Sequence, residues 1–104
     1  MKRAIPRPQA RADLHAEIVH YRKQAGKRIA NQLAIAADDA IRHLQQNPGT
    51  GSPRIGQTLD IPGLRSWRVS GFPLIWFYFE REDYLDVVRL LGERQDILSI
   101  LNAD

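Results

Sequence analysis

Leu74-Ile75-Trp76-Phe77-Tyr78-Phe79 is the longest unbroken apolar run in the chain. Turn-forming residues bound it on both sides, Ser70-Gly71-Phe72-Pro73 before it and Glu80-Arg81-Glu82-Asp83 after it. A half-buried strand alternates apolar and polar residues, so a short aromatic-rich run that is apolar at every position predicts a central strand covered on both faces. Six residues also fall far short of the roughly 20 that a membrane-spanning helix needs. Outward from this run, Leu64 to Val69 alternates in part, with Arg65, Trp67 and Val69 on one side and Leu64, Ser66 and Arg68 on the other. Tyr84 to Leu91 reads as the returning strand, ended by Gly92. Three strands joined by short turns form an antiparallel meander.

The first half of the chain has a different period. Leu14, Ile18, Tyr21 and Ala25 fall on one helical face, and Gly26 ends the pattern. Ile29, Leu33, Ala36, Ala37, Ala40 and Leu44 form a second stripe, which stops at Asn47-Pro48-Gly49. So short a connection predicts an antiparallel helical hairpin. Lys2 to Arg7 reads as a brief N-terminal strand, confined to a sheet edge by Pro6 and Pro8. Thr50 to Pro62 reads as a loop, and Ile97, Leu98, Ile100 and Leu101 as a short C-terminal helix or tail. The expected fold is α+β, with the hairpin on one face of the sheet. Only the short C-terminal segment is left to cover the other face, and if it does not suffice an apolar groove stays open there for a partner, as the length of the chain leads one to expect.

With 104 residues, the chain is expected to form a single domain over positions 1–104. It has no cysteine, which removes disulfides, cysteine zinc sites and thiol catalysis. The start, Met1-Lys2-Arg3-Ala4-Ile5-Pro6, lacks the apolar core of a signal peptide, so a cytoplasmic location is expected. The net charge of +3 is unevenly placed. Residues 1–54 hold 10 Lys/Arg against 4 Asp/Glu, and residues 55–104 hold 5 against 8. A basic half points to an anionic partner, either nucleic acid or an acidic protein segment, or else to solvated helical faces.

Catalytic patterns are absent from the sequence. His15 and His20 are about 140° apart on a helix, which does not suit shared metal ligation. His15-Ala16-Glu17 matches the H-x-E of zinc deaminases, but the cysteines that would complete the site are missing. His43 is read as an ordinary helix-surface residue. Asp38-Asp39 diverge on their helix, Glu82-Asp83 sits in a turn, and no phosphate-cradling glycine motif occurs. Arginine remains: Arg65 and Arg68 before the apolar run, Arg89 and Arg94 after it. Together they could hold phosphate or carboxylate, or form surface pairs with Asp60, Asp86 and Glu93. The residues describe a binding module with no catalytic residue, metal or cofactor.

Over nearly its whole length the sequence resembles the ParE branch of the RelE/ParE toxin superfamily, the toxin halves of type II toxin–antitoxin pairs associated with plasmid stabilisation. The resemblance rests on Ala12-Asp13-Leu14 followed by Ile18, and on Ile29 to Leu44 closed by Asn47-Pro48-Gly49 and Gly51-Ser52-Pro53-Arg54. Leu64-Arg65-Ser66-Trp67-Arg68-Val69, Leu74 to Tyr78, Val87-Val88-Arg89-Leu90-Leu91 and Arg94-Gln95-Asp96-Ile97 carry it further. It implies an N-terminal strand, helical hairpin and meander, and two functional branches. RelE-like members are ribosome-dependent mRNA endonucleases, whereas ParE-like members poison DNA gyrase. The basic and aromatic positions of the nuclease branch fall here on Leu64, Ser66, Pro73 and Ile100, and only Arg94 is kept. The resemblance therefore implies a non-enzymatic gyrase poison neutralised by an acidic, ParD-like antitoxin. An mRNA endonuclease, or a degenerate toxin that only binds antitoxin, is the alternative. It further implies antitoxin contacts at Trp67, Arg68, Trp76, Tyr78, Arg89 and Arg94, with Leu14, Ile18 and Tyr21 beside them, and target contacts at Arg65 and Arg94. Neither sequence-specific DNA binding by the toxin alone nor a membrane partner is expected.

Overall fold

The computed structural model describes residues 1–102; Ala103 and Asp104, part of the predicted C-terminal tail, lie outside the described residues. In chain order come β1 (Arg3–Pro6), α1 (Pro8–Ala25), α2 (Lys27–Gln46), a 3-10 turn (Pro48–Thr50), α3 (Arg54–Leu59), β2 (Leu64–Arg68), β3 (Leu74–Glu80), β4 (Tyr84–Gly92) and α4 (Ile97–Asn102). The sheet order is β1-β4-β3-β2, with β1 parallel to β4 and the other pairs antiparallel. The α+β arrangement matches the expectation, and the meander strands end within one residue of the predicted limits. Proline explains the place of β1: Pro6 cannot donate to a second neighbour, and Pro8 starts α1 at a position whose N–H needs no partner.

Gly26 alone separates α1 from α2, and its φ of 93° is one that side-chain-bearing residues avoid. The hairpin lies on one sheet face. There Leu33, Ala37 and Ala40 of α2 and Ala10 of α1 pack on Val69, Leu74, Trp76, Val87 and Leu90. Leu44 continues the layer onto Tyr78 and Leu85. The alanines of α2 bring backbone close to the sheet, close enough for the Trp76 indole N–H to donate to the Ala37 carbonyl at 3.2 Å.

The opposite face corrects two expectations. The stretch read as a loop contains the 3-10 turn and α3, and α3 with α4 closes the face expected to stand open. Leu64, Phe77 and Leu91 are buried there under Ile55, Leu59, Ile61, Ile97, Ile100 and Leu101. Gly56 permits this packing: a Cβ at that position would lie 2.5 Å from the Leu64 carbonyl oxygen. Along β3 the even-numbered side chains therefore meet the hairpin and the odd-numbered ones meet the two short helices, so both sides of the apolar run are used. An irregularity between Phe77 and Tyr78 pairs them with Arg89 and Val87, leaving Val88 as an extra residue in β4. That bulge lets Val87 and Leu90 both face the hairpin.

Candidate functional site

With the sheet faces closed, the open surface lies at the β2 edge. Ser66 exchanges two backbone hydrogen bonds with Ser52, each 2.9 Å, which covers the first part of the edge. Arg68, two residues further, points its backbone the same way, and its N–H and C=O meet no partner among the described residues. On the hairpin side of this edge, Trp67 stacks on His43 with ring centroids 4.8 Å apart. The stack floors a cleft of about 430 Å³ lined by Ile35, Ala36, Ala40 and Arg68. Ile35 is 62% exposed there. On the other side a cleft of about 530 Å³ is lined by Thr50, Ser52 and Ile75, and the two clefts share Trp67, Arg68 and Ser70. They make one trough around an unpaired strand end. The Arg68 guanidinium stands at its rim, paired with Glu93 at 2.7 Å.

Of the residues singled out in the sequence, only Trp67 and Arg68 meet in this trough. Trp76 and Tyr78 are 3% and 0% exposed and offer no surface to a partner. The Tyr78 hydroxyl donates to the Pro48 carbonyl at 2.8 Å and accepts from the Gly51 N–H at 3.0 Å, pinning the α2–α3 connection to β3. Burial pushes this hydroxyl above its ordinary range, against the opposing pull of the Gly51 N–H and Arg65, so it stays a neutral phenol. Arg89 is held inside by Asp13, with nitrogen–oxygen distances of 2.8 and 3.1 Å, while Asp13 also accepts from the Leu90 N–H. Leu14, Ile18 and Tyr21 are half-buried against the hairpin core.

The arginines do not converge. Arg65 donates to the Gly51 carbonyl at 2.7 Å, and Arg94 stands on the α1 side beside a cleft lined by Glu17, His20 and Tyr21. Asp86 receives a two-pronged contact from Arg7, both distances 2.9 Å, and a further bond from Arg81 at 2.9 Å. The Arg7 hydrogen bonds hold its carboxyl below the usual range despite its burial. Sequence reasoning missed Ile35, the role of His43 and Ser52. Ile35 alone left a signal, an isoleucine outside the apolar stripe of its helix.

Chemically, the trough offers backbone hydrogen bonds, apolar clefts, the Arg68 cation at its rim and the Asp39 carboxylate beside the hairpin-side cleft, which is a surface for binding an extended or amphipathic chain. Ile100 is packed under the sheet.

A family model described as the ParE toxin of the type II toxin–antitoxin system parDE matches residues 5–97. The chain belongs to this toxin family. A solved chain titled "Chromosomal ParDE TA system from P. aeruginosa" is similar in fold, with a TM-score of 0.75 and 23% sequence identity. The match covers 88% of this chain and 96% of that one. No curated protein sequence matches the chain. The ParE membership makes it the toxin component of a toxin–antitoxin pair, and the order of strand, hairpin, sheet and short terminal helix is the family fold. Among the described residues, no helix is long and apolar enough to cross a membrane.

Proposed function

We propose that this ParE toxin poisons DNA gyrase by binding, without chemistry of its own, and that a ParD-like antitoxin silences it by seating an amphipathic segment in the β2-edge trough. The supporting observation is the unpaired backbone of Arg68 between two apolar clefts. An added strand completes such an edge, and alternate side chains of the added segment fill the clefts. Trp67 and Ile35 supply apolar area, and Arg68 supplies charge for acidic side chains. In this reading Trp76 and Tyr78 act from beneath, holding the surface in shape, while Arg89, Leu14, Ile18 and Tyr21 belong to the packing of α1 on β4. Arg65 and Arg94 stand apart, and Arg94 is the better placed to meet the target. Gyrase works in the cytoplasm, and the toxin acts there.

The endonuclease reading is supported less: Leu64, Ser66, Pro73 and Ile100 offer no proton donor or acceptor suited to strand cleavage. Supercoiling by gyrase and translation of a defined mRNA, each run with the free toxin, separate the readings. Loss of supercoiling with intact mRNA is expected, reversed by the antitoxin. Ribosome-dependent cuts in the mRNA overturn it, and silence in both assays marks a degenerate toxin that retains only antitoxin binding. Trp67→Ala should weaken antitoxin binding by about tenfold or more in calorimetry, as loss of a central aromatic interface residue does, whereas Arg68→Glu, a charge reversal at the rim, should act mainly by slowing association with an acidic segment.

A further inference from the structure

The tip of the helical hairpin carries charge that the fold does not use. Arg22, Lys23, Lys27 and Arg28 flank the Gly26 turn, all four are exposed, and no Asp or Glu occurs between Glu17 and Asp38. None of the four has a carboxylate partner among the described residues; other cations such as Arg3, Arg11 and Arg54 also lack one, but they do not cluster as these four do. Local physics accounts for only half of the cluster: Arg22 and Lys23 stand in the last turn of α1, where the helix dipole favours cations. Lys27 and Arg28 occupy the first turn of α2, where the helix dipole favours acids, and that turn holds no acid and no side-chain cap. Four like charges around one turn also repel one another. A carboxylate in the first turn of α2 would serve the hairpin better than Lys27 and Arg28, so the charge of that turn answers to something outside the fold.

The chemistry of the tip identifies the partner class. Protein interfaces are centred on aromatic and large apolar anchors, and between the four cations the tip offers only Gln24, Ala25 and Gly26. A partner at this surface must bind through charge alone, which requires a dense, regular polyanion. Duplex DNA presents one charge per roughly 1.7 Å of its axis and releases counterions when cations approach. We infer that the α1–α2 tip is a sequence-independent docking site for the phosphate backbone of duplex DNA. Arg28 lies one turn, about 6 Å, along α2 from Gln32 at the end of the hairpin-side cleft, so the tip adjoins the β2-edge trough without sharing a residue with it. The inference extends the gyrase reading, in which the target is itself engaged on duplex DNA, and it can fail independently of it.

Fluorescence anisotropy of a labelled random-sequence duplex, titrated with the free toxin over a series of salt concentrations, tests it. The comparison variant carries Arg22→Gln, Lys23→Gln, Lys27→Gln and Arg28→Gln, with its fold checked by circular dichroism. The wild type should bind with a log–log salt slope between about −2 and −4, set by up to four phosphate contacts, and the variant should bind at least about tenfold more weakly with a slope near zero. Unchanged affinity and slope in the variant overturn the inference, as does tighter wild-type binding to poly-glutamate than to the duplex. The supercoiling assay on the same two proteins keeps the readings apart, since a wild type that binds DNA yet leaves gyrase active removes the gyrase reading and leaves the docking site standing.

Discussion

The two faces of the sheet are closed by the same chain in different ways. On one, helices of 18 and 20 residues lay continuous stripes across Trp76, Val87 and Leu90. On the other, two six-residue helices bring isolated leucine and isoleucine side chains onto Phe77 and Leu91. A helix of fewer than two turns has little stability of its own and exists because it is packed. The hairpin face is therefore the rigid base of the molecule, and the α3–α4 face is the one that opens at lower energy.

The largest expected effect tests whether both faces are truly closed. Trp76→Ala and Phe77→Ala should each destabilise by about 3–5 kcal/mol in urea unfolding, the usual range for a buried aromatic residue. A Phe77→Ala loss under about 1 kcal/mol would break the comparison, because it would mean that α3 and α4 do not bury that face in solution. Gly51→Ala comes next. The new methyl would meet the Tyr78 ring and hydroxyl, and overpacking of this kind costs about 2–3 kcal/mol. Tyr78→Phe in the same chain should return part of that loss in a double-mutant cycle, tying the connection between the two covers to a single side chain.

Asp86→Ala should cost about 2 kcal/mol, since hydrogen bonds to charged groups are worth about 1.5–3 kcal/mol and the two arginines it releases can be hydrated. The same pair has a pH signature. The folded-state pKa of Asp86 lies below its ordinary value, so its contribution is present above the normal aspartate range and is lost as pH falls through and below about 4. Acid should thus loosen the entry from β1 into the hairpin, and Asp86→Ala should flatten that part of the stability–pH curve. The smallest expected effect is Leu101→Ala, about 1–2 kcal/mol, low for a leucine because the chain end can collapse onto the gap. Amide exchange should show α4 opening well before α2, and equal protection of both would erase the contrast.

What could be read in the sequence follows the same contrast. Long elements leave a period: Leu33, Ala37, Ala40 and Leu44 mark the buried stripe of α2, and the apolar run marked β3 as covered on both sides. The identity of the second cover was hidden, because α3 is too short to show a period and holds Gly56 between flanking prolines. The site was legible only in part. Trp67 and Arg68 were visible as an aromatic and a cation beside the apolar run. Trp76, Tyr78 and Arg89 looked equally suited to a partner, and only three-dimensional placement shows that the first two are core and that Arg89 is bound to Asp13. The bulge at Val88 depends on pairing, which no local pattern encodes.

The ion pair between Arg68 and Glu93 gives the trough a threshold for entry. Its cation is already neutralised by the chain itself, so an arriving carboxylate only exchanges places with Glu93, and exposed pairs of this kind differ little in energy. A single acidic side chain therefore gains almost nothing at this rim. If the antitoxin docks as proposed, only a segment that also completes the strand edge and fills the clefts would gain on binding, so the pair would act as a filter that rejects stray acidic chains and admits one of matching shape.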